Sequence, residues 1–386
     1  MLHRSNRRAN RLHGWLQVTD LSNVAECLGQ FRPQKGRIIG AVLVSAREGE
    51  LRCRWSAALG ALWLGLCLAA QPAAGETTAL RILRPVDLSA LPLIVMQHEN
   101  MIERVAEQMG LGAVTIEWVT PGKAGPAEAL AAGQADLAAI EIAPFVAAAD
   151  GPVGTSGELR GLGALVDRPY VLVARKPGIN TIRDFRSGDR IAVPALKVSG
   201  PAVMLQMAAA QEWGVDHYDK LDALLVARPD PAATEALRAG KGSLDAHFSQ
   251  SPFADDELAS PGIRRVMDSF DIAGPHSAAV LAGTVRFHDA NPKLCIAILS
   301  ALEQADNLIK SKPGTAAEIY AAVAKDQDLA LEDLTDMIGD PDLAYRTAPS
   351  GLMRLAEFMH RVGRLKRKPE SWKELFFREA HDLPGS

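Results

Sequence analysis

Disulfide chemistry is almost absent from this sequence. Of its four cysteines, Cys27, Cys53 and Cys67 fall within the first 75 residues, and only Cys295 lies beyond them. Once the leader described below is removed, no intrachain disulfide can form, even in an oxidising compartment. The signatures of common catalysts are missing too. There is no Gly-x-Ser-x-Gly, no phosphate-binding loop, no Gly-x-Gly-x-x-Gly after a strand, no His-Glu-x-x-His and no pair of cysteines. These absences point away from an enzyme, and from a resident metal or cofactor. Low-complexity runs and flexible interdomain linkers are lacking as well.

What is present suffices for one or two globular cores, since 48% of the 386 residues are hydrophobic and 23% are charged. The net charge of −4 hides an asymmetry: residues 1–75 hold ten Lys/Arg against four acids, leaving 32 basic and 42 acidic residues downstream. A body at −10 offers no footprint for nucleic acid.

The segment RCRWSAALGALWLGLCLAAQPAAGE, from Arg52, reads as a secretory signal peptide. Two arginines precede an apolar run, Trp55–Ala70, and Ala73-Ala74-Gly75 supplies small residues for cleavage after Gly75. The run is shorter than the roughly 20 residues a bilayer span requires, which favours a cleaved signal over a retained anchor. Leu66, just before Cys67, is too bulky for a lipoprotein site. Residues 1–52 are expected to be an extension outside the mature protein, with 53–75 as the signal and translation beginning downstream of Met1 at a non-Met codon.

Downstream, strand and helix signals alternate. LRIL (Leu80–Leu83) is a short apolar strand, PLIVMQHENMIERVAEQMG has helical spacing, and VTIEWV from Val114 alternates as a second strand. YVLVARK (Tyr170–Lys176), Arg190–Val193 and LDALLVARP read as further strands. After Gly283 come five helical segments, NPKLCIAILSALEQADNLIKS, GTAAEIYAAVAKD, LALEDLTDMIG, SGLMRLAEFMHRVGRL and SWKELFFREAH. The basic stretch RVGRLKRK (Arg361–Lys368) reads as a solvated helix end.

Two stretches say nearly the same thing: EALAAGQADLAAIEIAPF from Glu128 and EALRAGKGSLDAHFSQSPF from Glu235. In each, a helix ends at glycine (Gly133, Gly240), an aspartate follows (Asp136, Asp245) and a strand runs into Pro-Phe. The repetition suggests two α/β lobes of like construction with a ligand between the carboxyl ends of their strands.

Together with the signal peptide, ALAAGQADLAA, YVLVARKPGINTIRDFRSGDRIAVP, RAGKGSLDAHFSQSPF and NPKLCIAILSALEQADNLIKSKPGTAAEIYA occur in an order that resembles the periplasmic substrate-binding proteins of ABC importers. The resemblance covers residues 80–325 and is to the nitrate/sulfonate/taurine class with its thiamine-pyrimidine-precursor-binding relatives. It implies an α/β, type II periplasmic-binding-protein fold, two lobes joined by two crossover strands. The chain would cross near Tyr170–Lys176 and return near Ala278–Thr284, giving 76–171 as the first part of lobe 1, 172–276 as lobe 2 and 277–386 as the second part of lobe 1. It further implies a periplasmic protein that captures a small sulfonate-, amine- or pyrimidine-like solute and delivers it to a permease with its ATPase, touching the membrane only through that permease. The alternatives are a divergent binding-fold protein serving as ligand sensor or partner scaffold, or a pyrimidine-precursor synthase-like enzyme, whose cysteine-rich iron-binding run is not found here.

Candidate ligand contacts follow from the same frame. Ser199 starts the helix Pro201–Trp213, where free N–H groups favour an anion, and it also suits a plain N-cap. Asp87 and Ser89 occupy the loop after the first strand, where the resemblance expects ligand contacts; a solvated loop fits them equally. Glu141 is a carboxylate in the apolar strand end AAIEIAPF and must find a partner or a ligand. His247 and Gln250 hold the equivalent place in the second echo, and His276 lies beside the return strand. Glu141 weighs against a bare anion such as nitrate and suits an amine, a ring N–H or a zwitterion.

Overall fold

The computed structural model describes residues 76–122, 125–151, 154–324 and 330–386. The expected extension, signal peptide, cleavage site and Cys67 lie outside the described residues. Ten strands are numbered in chain order: β1 (Ala79–Leu83), β2 (Thr115–Val119), β3 (Leu137–Glu141), β4 (Leu159–Asp167), β5 (Val171–Ala174), β6 (Ile191–Val193), β7 (Leu225–Ala227), β8 (Ala246–Ser249), β9 (Arg264–Asp268) and β10 (Ser277–Thr284). They form two five-stranded sheets, β2-β1-β3-β10-β4 in lobe 1 and β7-β6-β8-β5-β9 in lobe 2.

The two sheets have one design. In lobe 1, β1 runs parallel to β2 and β3, while β10 runs antiparallel to β3 and β4. In lobe 2, β6 runs parallel to β7 and β8, while β5 runs antiparallel to β8 and β9. Strand β10 is buried along its length and β3 as far as the half-buried Glu141, because neighbouring strands and packed helices enclose them.

The echo in the sequence has an atomic counterpart. Asp136 accepts the N–H of Arg81 at 2.8 Å and returns its own N–H to the Arg81 carbonyl at 2.9 Å. Asp245 does the same with Arg190, at 2.9 and 3.0 Å. Each aspartate therefore closes the start of one central strand onto the next. Gly133 (φ +67°) and Gly240 (φ +64°) end the preceding helices in the left-handed conformation that glycine tolerates best.

The chain passes between the sheets at Arg168–Tyr170 and Gly274–His276, next to the strands β5 and β10 near which the crossings were expected. Other expectations need correction in detail. The first predicted helix is two, Leu91–His98 and Met101–Gln108, broken where Asn100 takes a left-handed conformation. Strand β3 stops at Glu141, and Pro144-Phe145 already lies in the helix Ile142–Ala149. SWKELFFREAH is no helix but two 3-10 turns, because Phe376 between them is extended, bridges to Gly161 of β4 and packs its ring on Phe145 and Trp372.

The lobes share more than two crossings. Phe145 and Val146 of lobe 1 and Val203, Met204 and Leu205 of lobe 2 belong to one apolar cluster, joined by Leu355, Phe358 and Met359 of the C-terminal helix Leu352–Arg361. Phe358 meets Tyr218 of lobe 2 edge to face with ring centroids 6.3 Å apart. Beyond that helix, Arg364 donates to the Lys197 carbonyl and to Gln206 in lobe 2, while the Lys366 N–H is held by Asp150 of lobe 1 at 2.6 Å. The basic stretch thus does more than face solvent.

Candidate functional site

The carboxyl ends of the parallel strands converge between the lobes. From lobe 1 come the loop after β1, with Asp87 and Ser89, and the end of β3, with Glu141. From lobe 2 come the helix Gly200–Trp213 after β6 and the segment Gln250–Pro252 after β8. The crossings place Arg168, Tyr170 and His276 between them.

Glu141 spans the gap. Its Oε1 accepts the Tyr170 hydroxyl at 2.9 Å and the Gly200 backbone N–H at 3.1 Å. A lobe 1 carboxylate therefore sits on the start of a lobe 2 helix, the place where the partial positive charge of the helix dipole favours an anion. Burial pushes the Glu141 carboxyl up to about 7, although the Tyr170 and Gly200 hydrogen bonds and the charge of Arg168 pull the other way. Burial also raises the Tyr170 hydroxyl well above its usual range. Gly200 permits this approach, since a Cβ there would lie 2.3 Å from the Tyr170 oxygen and 2.8 Å from Glu141 Oε1.

Ser199 is the N-cap residue by position, yet its hydroxyl does not cap. It turns back to donate to the Ala195 carbonyl at 2.7 Å, and Glu141 satisfies the helix start from outside instead. Asp87 caps a 3-10 turn, accepting the Ser89 N–H at 2.8 Å and the Ser89 hydroxyl, so these two residues are engaged with each other at the cleft edge. Gln250 is half-buried beyond β8, and its carbonyl accepts the Ala254 N–H at 3.1 Å.

Both histidines serve internal networks. His247 is fully buried, with Nδ1 2.6 Å from Glu257 and Nε2 3.3 Å from Asp230. Both partners are carboxylates, so both ring nitrogens donate and the ring is an imidazolium. Burial pushes this group down, but the bonds to Asp230 and Glu257 outweigh it and hold it at about 9. With both nitrogens committed, His247 has no ring N–H to offer a ligand in this conformation.

His276 is the opposite case. It stacks on Tyr170 with centroids 5.7 Å apart, accepts the Ser269 hydroxyl at Nε2 (2.9 Å) and directs Nδ1 at the Ser277 carbonyl (3.3 Å). Burial pushes it down to about 4, so it stays neutral. Ser269 also accepts the Tyr170 N–H at 2.8 Å, which makes His276 a brace between the two crossings.

Two residues escaped the sequence reading. Tyr170 was read only as the first residue of the strand YVLVARK, and Arg168, between Asp167 and a proline, was not singled out at all. Arg168 is 1% exposed. No motif marks it, because its burial arises only where the lobes meet. A cavity of about 1070 Å3 lined by Arg175, Thr234, Arg238, Pro252 and Asp256 lies on lobe 2; it meets the cleft segments only at Pro252 and touches none of the candidate ligand contacts. Among the described residues no group of three or more His, Cys, Asp or Glu is arranged to hold a metal ion.

The architecture has known counterparts. The alkanesulfonate-binding protein SsuA from Xanthomonas axonopodis pv. citri, bound to MOPS, matches 76% of this chain and 96% of its own at 20% identity and a TM-score of 0.58. The periplasmic aliphatic sulphonate binding protein SsuA from Escherichia coli matches 78% of this chain and 93% of its own at 19% identity and 0.59. The periplasmic nitrate-binding protein NrtA from Synechocystis PCC 6803 matches 79% and 87% at 13% identity and 0.59. At these identities the likeness is one of fold, that of the periplasmic binding proteins. No curated protein matches the sequence. The model of the NMT1-like family matches residues 74–324, which hold both sheets and both crossings, and the chain belongs to that family.

Proposed function

We propose that this protein is an extracytoplasmic solute receptor that captures a small molecule between its lobes and hands it to an ABC permease and its ATPase, without catalysing a reaction. The observation that carries this reading is the bridge from Glu141 to Gly200. Two sheets of one design turn their strand carboxyl ends towards each other, and a carboxyl of one lobe, raised to about 7 by burial, holds the buried helix start of the other. Such a contact can be exchanged for a ligand that supplies an acceptor to Gly200 and a donor to Glu141. Sulfonate-, amine- and pyrimidine-bearing solutes each provide at least one of these. The cleaved signal peptide expected from the sequence would place the protein in the periplasm.

The test is the melting temperature of the purified protein with taurine, alkanesulfonates, nitrate, pyrimidines, polyamines and aromatic acids. A ligand at a hundred times its dissociation constant stabilises the folded state by about 2.7 kcal/mol. Saturable stabilisation by one compound class supports the receptor. No shift from any class, in protein free of carried-over solute, removes it.

A second reading, a scaffold that binds a partner rather than a solute, draws on the apolar cluster shared by both lobes and on the Arg364 tie. These contacts oppose wide opening. Scattering profiles identical with and without every solute would favour it.

A further inference from the structure

We propose that Arg168 is the anion receptor of the cleft, and that the solute carries an oxyanion head, a carboxylate, sulfonate or phosphonate, which docks side-on against its guanidinium. The assignment rests on the solute-binding reading and narrows it.

Arg168 stands in the first crossing between β4 and β5. At 1% exposure it is as enclosed as the apolar core, and among the described residues it forms no ion pair. Its Nη1 donates to the Ser251 carbonyl at 3.0 Å, which fixes the plane of the guanidinium. Its Nε and Nη2 have no hydrogen-bond partner among the described residues. These are the two nitrogens whose N–H bonds point in parallel along one edge of the group, the fork that receives two oxygens of one oxyanion. A buried charge without a counter-ion is costly, and protein structures retain one only where something compensates for it.

The fork lies in the cleft. Its anchor, Ser251, follows the end of β8 in lobe 2. Its charge also acts on Glu141 at the end of β3 and on Tyr345, whose hydroxyl reaches the Leu88 carbonyl in the loop after β1. Arg168 is thus tied to the segment after β8 in lobe 2 and lies within reach of the charge at the end of β3 in lobe 1, between which a solute would lie. The nearby carboxylates Glu141 and Asp255 feel the charge without bonding to it. Glu141 is committed to Tyr170 and Gly200, which leaves the fork unclaimed by the protein itself. In this conformation the fork is covered, so a ligand must enter as the lobes part.

The experiment uses solutes that share a short carbon skeleton and differ in the head: propionate, ethanesulfonate and ethylphosphonate against ethylammonium and propionamide. Calorimetric titration is run on the wild-type protein, Arg168→Lys and Arg168→Met. The expected result is saturable binding of at least one anionic head and none of the cationic or neutral ones. Both variants should weaken that binding at least about tenfold, the lysine because it keeps the charge and loses the fork. The unliganded Arg168→Met protein should melt no lower than wild type, because an unpaired buried charge has gone.

Binding of only cationic or neutral heads would overturn this assignment and leave the receptor reading standing. Anion affinity unchanged in both variants, or a lower melting temperature for Arg168→Met with unchanged binding, would make Arg168 a structural residue. If no solute binds wild type in this panel or in the wider one above, the assignment falls together with the receptor reading.

Discussion

Glu141 in one lobe and Gly200 in the other are joined by a single hydrogen bond of 3.1 Å, from a backbone N–H to a carboxylate whose proton is lost only near pH 7. That contact is a titratable latch.

Burial raises the Glu141 carboxyl in the folded state from its ordinary 4.5 to about 7. The folded protein therefore holds this proton more tightly than the unfolded chain. The contribution is fully present below about 4.5 and is lost as pH rises through about 7. Glu141→Gln keeps an acceptor for Gly200 and has no charge to bury. Near pH 8 the variant should be more stable than wild type by about 3 kcal/mol, with the gap closing towards pH 4. Urea denaturation across that range measures it.

His247 runs over a different window. Its folded value of about 9 exceeds its ordinary 6.5, so its stabilisation is complete below 6.5 and disappears as pH passes about 9. His247→Gln leaves Glu257 buried without its counter-charge and should cost about 3–5 kcal/mol at pH 6. The deficit should narrow markedly by pH 9.5, where wild type has itself lost the imidazolium. A deficit independent of pH would mean that packing, not charge, holds the ring.

Gly200→Ala should force the cleft. The added methyl would lie 2.3 Å from the Tyr170 hydroxyl oxygen and 2.8 Å from Glu141. Both belong to other elements, so the substitution separates the lobes before it disturbs either sheet. Overpacking of this kind costs about 1–3 kcal/mol. The radius of gyration from X-ray scattering should rise, while far-ultraviolet circular dichroism stays the same.

Arg364→Ala removes two interlobe hydrogen bonds, to Lys197 and Gln206. Bonds from a charged donor contribute about 1.5–3 kcal/mol each at most, and less where water can replace the partner. Amide exchange should speed up in the helix start around Gly200 and stay unchanged in β1 and β3. Equal protection in wild type and variant would show that Phe358 and Tyr218 suffice.

The duplicated architecture was legible because its signals are local. A glycine that ends a helix, an aspartate three or five residues on and a short apolar strand carry their meaning within one short stretch of chain, so Gly133 and Asp136, or Gly240 and Asp245, could be read without their partners. Glu141 was legible for a related reason, as one charge in an apolar strand end. The rest depends on distant chain. His247 could not be separated from a ligand contact until Asp230 and Glu257 were brought to it, nor His276 until Ser269 and Tyr170 were. Ser199 misled because its residue type suits a cap and its rotamer does not. Arg168 gave no local sign, since a turn with Asp-Arg-Pro is ordinarily wet.

The attachment of the C-terminal segment alters how the two halves can turn. Two neighbouring crossings alone act as a flexible joint that can both bend and swivel. Phe358 against Tyr218, with Arg364 on the Lys197 carbonyl, adds a third point away from that joint. A third tie of this kind resists swivel, so any parting of the halves would have to stretch or release these contacts. The Lys197 end of that tie is three residues from Gly200, and the reach of one arginine side chain therefore limits how wide the mouth can stand while the tie stays fastened.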